Sequence, residues 1–297
     1  VKNVVVASFS GGTGKSAVTA VLAKLFQEVL VADLSLGFTG QQIYLPGEPF
    51  RIMEHARGLS ALVESRFCTD CGRCIPVCPE KAIGPDYQVD GCLCTACDLC
   101  IEACPEEAIG YTANSAGRWY FADTQCGLRV SADLDGAQSF DPGLVDRVFG
   151  EAHNLAEARE LPLMLTDMPS GMDEVTLPVW EKADLLVLVT EPSARDVAAF
   201  REALPLLKEK NLPAVQVINR HDLNRAYTME LLDTALKEGI RTAGKIGFDP
   251  EMYRAPDLAR RDGVNFPGLI PAPLRGDYVN LWHSLKFILK EQEKNHG

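Results

Sequence analysis

No stretch of this sequence is apolar for long enough to cross a bilayer, which takes about 20 consecutive apolar residues. The opening run Val4-Val5-Val6-Ala7 is too short for the apolar region of a signal peptide. Basic residues are in the minority: 29 Lys and Arg against 41 Asp and Glu leave a formal net charge of −12. That deficit argues against a nonspecific grip on nucleic acid, which depends on neutralising phosphates. It equally argues against docking on an anionic membrane surface. The five histidines, at 55, 153, 221, 283 and 296, fall in no metal-ligand spacing. No nucleophile stands beside a base in a pattern that would signal a hydrolase. These absences predict a protein of the cytoplasm with neither nucleic acid nor membrane as partner. At 297 residues, 46% hydrophobic and 24% charged, the chain can form one large α/β core with a small addition.

Cysteine, by contrast, is plentiful, and eight of the ten fall in two matching runs. The first reads Cys68-x-x-Cys71-x-x-Cys74-x-x-x-Cys78-Pro79 and the second Cys94-x-x-Cys97-x-x-Cys100-x-x-x-Cys104-Pro105. Pro79-Glu80-Lys81-Ala82-Ile83-Gly84 follows the first, and Pro105-Glu106-Glu107-Ala108-Ile109-Gly110 follows the second, so the segment is an internal duplication. Three thiolates at two-residue gaps wrap three corners of one iron–sulfur cube, and the fourth, set apart before proline, reaches the other cube. The spacing therefore assigns Cys68, Cys71, Cys74 and Cys104 to one [4Fe–4S] cluster, and Cys94, Cys97, Cys100 and Cys78 to a second. Structural zinc favours separated pairs of cysteines, and a disulfide framework belongs to exported proteins. Residues 65–112 resemble the bacterial two-cluster ferredoxins in these cysteines and prolines. Cys92 and Cys126 lie outside the spacing and read as free structural thiols in a reducing compartment.

Residues 3–7 form a short β-branched run suited to a buried parallel strand. After it come Ser8-Phe9-Ser10-Gly11-Gly12-Thr13-Gly14-Lys15-Ser16 and an apolar-periodic helix over 17–27. Strand, glycine-rich loop and helix make a phosphate cradle, in which backbone N–H groups surround oxygens and the helix N-terminus adds positive potential. Lys15 is placed to reach the β and γ phosphates and Ser16 to bind Mg²⁺. Strands over 29–32 and 161–166 deliver Asp33 and Asp167, and the latter, followed by Gly171, suits a Mg²⁺-sensing acid. Taken alone, Asp167 would equally serve as an ordinary helix cap. Residues 34–60 read as a loop with short elements, and a hairpin is expected around 125–127. Strands over 185–190, 214–219 and 242–248 alternate with helices over 193–209 and 225–239, which predicts a parallel sheet with right-handed crossovers. Ligand then belongs at the C-terminal strand edge, with the glycine loop, Asp33, Asp167 and Asn219. Near the C-terminus Val279, Leu281, Trp282, Leu285, Ile288 and Leu289 share one helical face, which predicts docking onto the sheet.

With these residues placed, nearly the whole chain resembles the MinD/ParA-type P-loop ATPases, in the branch that carries an inserted ferredoxin domain. The matching pieces are Gly11-Gly12-Thr13-Gly14-Lys15-Ser16, Asp33, the cysteine insert, Arg118-Trp119-Tyr120, Asp167-x-Pro169-x-Gly171, 183–192 and Val217-Ile218-Asn219. The expected architecture is an α/β P-loop domain, 1–59 with 113–297, whose parallel sheet has helices on both faces. It is interrupted at 60–112 by a small ferredoxin-like α+β insert. The resemblance implies ATP or ADP with Mg²⁺, Asn219 and Arg220 near the base, and a dimer with itself or with a homologous subunit that sandwiches nucleotide. Related members handle clusters or couple ATP use to electron transfer, so a redox partner, a carrier role in cluster assembly, or a silent subunit beside an active homologue all follow. Departures gather at the nucleotide. Phe9-Ser10 stands where the family has Gly-Lys, so the lysine that reaches a partner's phosphates is absent and Phe9 is expected to distort the loop. Ser35 replaces the second acid of the first switch, and Arg220 replaces a common lysine. Binding with poor hydrolysis is the expectation.

Overall fold

The computed structural model describes residues 1–36, 40–91, 93–134, 142–173, 176–262 and 266–296. Strand β1 (Lys2–Ala7) leads through the glycine loop into helix α1 (Lys15–Phe26), followed by β2 (Val29–Asp33) and the single turn α2 (Gln41–Tyr44). Next come β3 (Gly47–Val63), the turns α3 (Cys74–Val77) and α4 (Leu99–Glu102), then β4 (Ile109–Thr124) and β5 (Gly127–Leu134). Helix α5 (Pro142–Ala158), β6 (Leu163–Asp167), the turn α6 (Leu177–Trp180), β7 (Leu185–Thr190) and α7 (Ala194–Glu209) continue the chain. It closes with β8 (Ala214–Asn219), α8 (Arg225–Lys237), β9 (Arg241–Ile246), α9 (Glu251–Asp262), a 3₁₀ turn (Phe266–Leu269) and α10 (Ala272–His296).

Nine strands form one sheet in the order β3-β4-β5-β2-β6-β1-β7-β8-β9. From β5 to β9 every recorded pairing is parallel. Strands β2, β6 and β7 are buried at every residue, as a sheet covered on both faces requires. Their apolar runs without alternation are the sequence signal for that burial. The register sets Asp33 of β2 opposite Asp167 of β6, at the strand ends where a ligand is held.

By internal contacts the described residues fall into two compact units. The first comprises Val1–Ile52, Tyr120–Ala132 and Pro142–Gly297; the second is built on Met53–Trp119. One expectation needs correction: 34–60 is not mainly loop, because β3 begins at Gly47. Its polar, Pro49- and Gly58-punctuated sequence disguises a strand at the sheet edge, where lost ladder hydrogen bonds are tolerated. Helix α9 was not foreseen, since its residues are strongly polar and it carries Pro256.

Helix α10 packs against β9 and α1. Leu281 lies 3.1 Å from where a Cβ on Gly244 would sit, so the bare glycine backbone lets the helix come close. Leu281 and Leu285 are fully buried and Ile288 and Leu289 nearly so, whereas Val279 is 37% exposed and lies off the docking face. Leu285→Ala should therefore cost about 2–5 kcal/mol of stability and Val279→Ala under about 1 kcal/mol. Urea denaturation of the two variants beside the unaltered chain checks the contrast.

Candidate functional site

The glycine loop between β1 and α1 is held open by its own chemistry. Gly14 has φ of 84°, and a Cβ there would lie 2.4 Å from Asn219 Nδ2, so only glycine fits. Asn219 donates from that Nδ2 to the Thr13 carbonyl at 2.7 Å and accepts the Arg220 N–H at 3.0 Å. Its side chain thus ties β8 to the loop. A cavity of about 380 Å³ opens beside the loop, within the range of small-molecule sites. Gly12, Thr13, Gly14, Lys15 and Ser16 form one wall, and Arg220, Phe248 and Tyr253 face them across the cavity. Gly11 lies outside that lining, beside Ser170. Arg220 is ion-paired with Glu191, and its guanidinium lies 4.9 Å from the centre of the Tyr253 ring.

Behind the loop sit the two carboxylates. Asp33 accepts the N–H groups of Ser35 at 3.1 Å and Gln41 at 2.6 Å. Asp167 accepts Thr19 Oγ1 at 3.4 Å and Gln41 Nε2 at 2.9 Å. Gln41 Nε2 also reaches the Ser16 carbonyl at 2.8 Å, so one buried amide joins α1, β6 and α2. Burial, and then the neighbouring Asp167, push the Asp33 carboxyl up from 3.8 to about 6, against the pull of the Ser35 and Gln41 N–H groups and Arg129.

The two unusual residues ahead of the glycines are both accommodated. Phe9 does not spoil the loop: its ring packs 6.3 Å from Trp180 and 6.2 Å from Phe200, giving the loop an aromatic anchor. Ser10 donates to buried Asp196 Oδ1 at 2.6 Å, while Asp196 Oδ2 accepts the Glu191 N–H at 2.7 Å. The hydroxyl at position 10 is therefore committed within the chain.

In the second unit the cysteines line two separate pockets. One gathers Cys68, Cys71, Cys74 and Cys104; the other gathers Cys78, Cys94, Cys97 and Cys100. Each takes three cysteines from one repeat and the proline-followed one from the other. The repeats share backbone conformation, with positive φ at Asp70 and Ala96, at Gly72 and Asp98, and at Lys81 and Glu107. Sulfur atoms receive backbone donors at matching places: Ala82 N–H to Cys78 Sγ and Ala108 N–H to Cys104 Sγ, both at 3.3 Å. Among the described residues no group of three or more His, Cys, Asp or Glu closes tightly enough to hold a single metal ion. Cys126 is buried in the main core and lines neither pocket, and Cys92 lies outside the described residues.

A sheet of this topology, with a glycine loop and strand-end carboxylates, defines a P-loop nucleotide-binding domain. Residues 4–260 match the CobQ/CobB/MinD/ParA nucleotide binding domain, and the chain belongs to that family. The MinC:MinD cell division protein complex of Aquifex aeolicus has a similar structure, with TM-score 0.54, 16% identity and 96% of each chain covered. So does a ParA family ATPase from Chlorobium tepidum, with TM-score 0.54, 18% identity and coverage of 95% of this chain and 98% of that one. MinD from Pyrococcus horikoshii complexed with Mg-ADP gives 0.54 at 15% identity, over 98% of both chains. No curated protein matches the chain in sequence.

Sequence reasoning missed Gln41, Arg129 and Asp196. Gln41 and Arg129 lie in stretches without a motif, and Asp196 looks like an ordinary first-turn acid of a helix. Asp33 supplies a pH test. Its folded value lies above its unfolded one, so its favourable contribution is full below about pH 3.8 and is lost as pH rises through about 6. Over that window nucleotide-free protein should lose about 3 kcal/mol relative to Asp33→Asn, at about 1.4 kcal/mol per pH unit. Urea midpoints of both proteins from pH 4 to 7 measure the difference.

Proposed function

We propose that this chain is a cytoplasmic nucleotide-binding iron–sulfur protein that carries electrons through two [4Fe–4S] clusters, linked to occupation of the P-loop by ATP or ADP with Mg²⁺. The carrying observation is the pair of four-thiol pockets, each drawing its fourth cysteine from the opposite repeat. The donor set suits cubane clusters: four thiolates per pocket, with backbone N–H groups aimed at sulfur, where they stabilise negative charge. When bound, such a cluster supplies one-electron redox chemistry. The chain's own part is to hold eight cysteines in two sets of four and to shield them with Ile83 and Ile109, which are buried with Cys74 and Cys100.

At the nucleotide, Lys15 and Ser16 face the cavity, where an ammonium serves the phosphates and a hydroxyl serves Mg²⁺. Asp33 and Asp167 supply the negative charge that holds the cation. Position 10 offers no cation, because Ser10 is a hydroxyl donating to Asp196. A group that neutralises developing phosphate charge is worth several orders of magnitude in rate. Binding with slow hydrolysis follows, and it favours a dimer with itself or with a homologous ATPase subunit that delivers electrons to a redox protein. The cysteine segment enters the chain between the strands bearing Asp33 and Asp167, which gives nucleotide state a covalent route to the clusters.

Protein isolated without oxygen should contain about eight irons per chain. Cys104→Ser should abolish or alter one of two cluster EPR signals, while Cys126→Ser should keep both. Mg-ATP should shift a reduction potential or an EPR line shape. Iron-free protein, or zinc in its place, would sink the reading; unchanged spectra with nucleotide bound would remove the coupling alone.

A further inference from the structure

Gln41 is fully buried, yet its carbonyl Oε1 has no hydrogen-bond partner among the described residues. The amide cannot be turned to relieve this. Its Nε2 already donates to the Ser16 carbonyl and to Asp167 Oδ2, and turning it would set a third acceptor against those two. A buried polar group left unpaired costs about 1–3 kcal/mol. Among the described residues the carboxylate oxygens of Asp33 and Asp167 and the Ser16 carbonyl draw on the N–H groups of Ser35 and Gln41, the Gln41 amide and the Thr19 hydroxyl, which also donates to the Lys15 carbonyl at 3.0 Å, with Arg129 beside Asp33, and no donor reaches Gln41 Oε1. The cluster lies against the Ser16 end of the glycine loop, and Thr13 Oγ1 in that loop is likewise buried and unpartnered.

An excess of acceptors around two buried carboxylates is relieved by a hydrated divalent cation, which brings both positive charge and water protons. We propose that Gln41 is a positioning residue of the Mg²⁺–nucleotide centre. Its Nε2 fixes the Asp167 carboxylate, and its Oε1 would accept a hydrogen bond from a water on the cation. This gives the chain a water-orienting group in place of the acid it lacks at Ser35, whose hydroxyl instead donates to the Met168 carbonyl at 3.4 Å. The inference rests on the nucleotide reading above and is independent of the iron–sulfur one.

The test uses the full chain and measures ADP affinity by calorimetry with Mg²⁺ and with EDTA. It adds water-proton relaxation of bound Mn²⁺·ADP, which reads the waters on the cation. Gln41→Leu keeps the volume and removes both polar atoms; Gln41→Glu keeps an acceptor and loses the donor. The Mg²⁺-dependent gain in ADP affinity should fall about tenfold in Gln41→Leu, beyond any change in EDTA, with altered Mn²⁺ relaxation. Gln41→Glu should restore part of that gain. Equal losses with and without Mg²⁺ in both variants would reduce Gln41 to a structural strut and overturn the inference. An unchanged Mg²⁺ gain in Gln41→Leu would overturn it too. Failure of the unaltered chain to bind ADP under either condition would overturn the nucleotide reading itself, and this inference with it.

Discussion

Two carboxylates at the ends of neighbouring parallel strands govern the nucleotide half of this molecule. Asp33 and Asp167 are register partners and both are buried, so burial and the neighbouring Asp167 raise the energy of charge on Asp33. Fixed dipoles hold the pair together. Ser35 and Gln41 donate backbone N–H groups to Asp33, the Gln41 side chain donates to Asp167, and Arg129 lies close enough to favour the charged form of Asp33. None of these is a full positive charge in direct contact with both acids. The pair is held by dipoles rather than by a charge contacting both acids, which is the electrostatic setting that the proposed role in holding a cation calls for.

The cysteine-rich unit solves a different problem by duplication. On the proposed reading each pocket takes a cubane, which needs ligands from four directions, and one short run of chain covers only three of them. Each repeat here lends its proline-followed cysteine to the other, so neither pocket closes without both halves. The shared positive φ values at equivalent positions show that the two runs turn the same way, and three of the six residues are neither glycine nor Asn or Asp. Lys81, Ala96 and Glu107 have no side-chain reason to prefer that conformation. At Lys81 and Glu107 the strain is offset by the backbone N–H groups that follow, since those of Ala82 and Ala108 are aimed at sulfur.

Much of this was legible in advance because it is carried by local pattern. Unalternating apolar runs gave β1, β2, β6, β7 and β8, the glycine loop marked the start of α1, and the cysteine spacing foretold which four thiols share each pocket. What escaped notice depends on tertiary placement. Gln41 is an unremarkable residue between Gly40 and a second glutamine until β6 brings Asp167 to it. Arg129 sits in a strand whose apolar neighbours hide it, and only burial beside Asp33 gives it meaning. Strand β3 was obscured by its exposed edge position, where no buried face imposes alternation.

Phe9 and Ser10 change the nature of the loop together. A lysine at position 10 would be a mobile charge able to reach outward; serine there is short, buried and hydrogen-bonded to Asp196 on α7. Phe9, a residue earlier, wedges its ring between Trp180 of α6 and Phe200 of α7. Both residues fasten the loop to α7, and both exchange reach for packing. A loop fixed in this way loses little in binding, since Lys15, Ser16 and the backbone N–H groups are untouched, but it cannot bring a new cation to the phosphates as the transition state develops. On the reading proposed above, any rate-enhancing charge would have to come from outside this loop, as a second subunit could supply it.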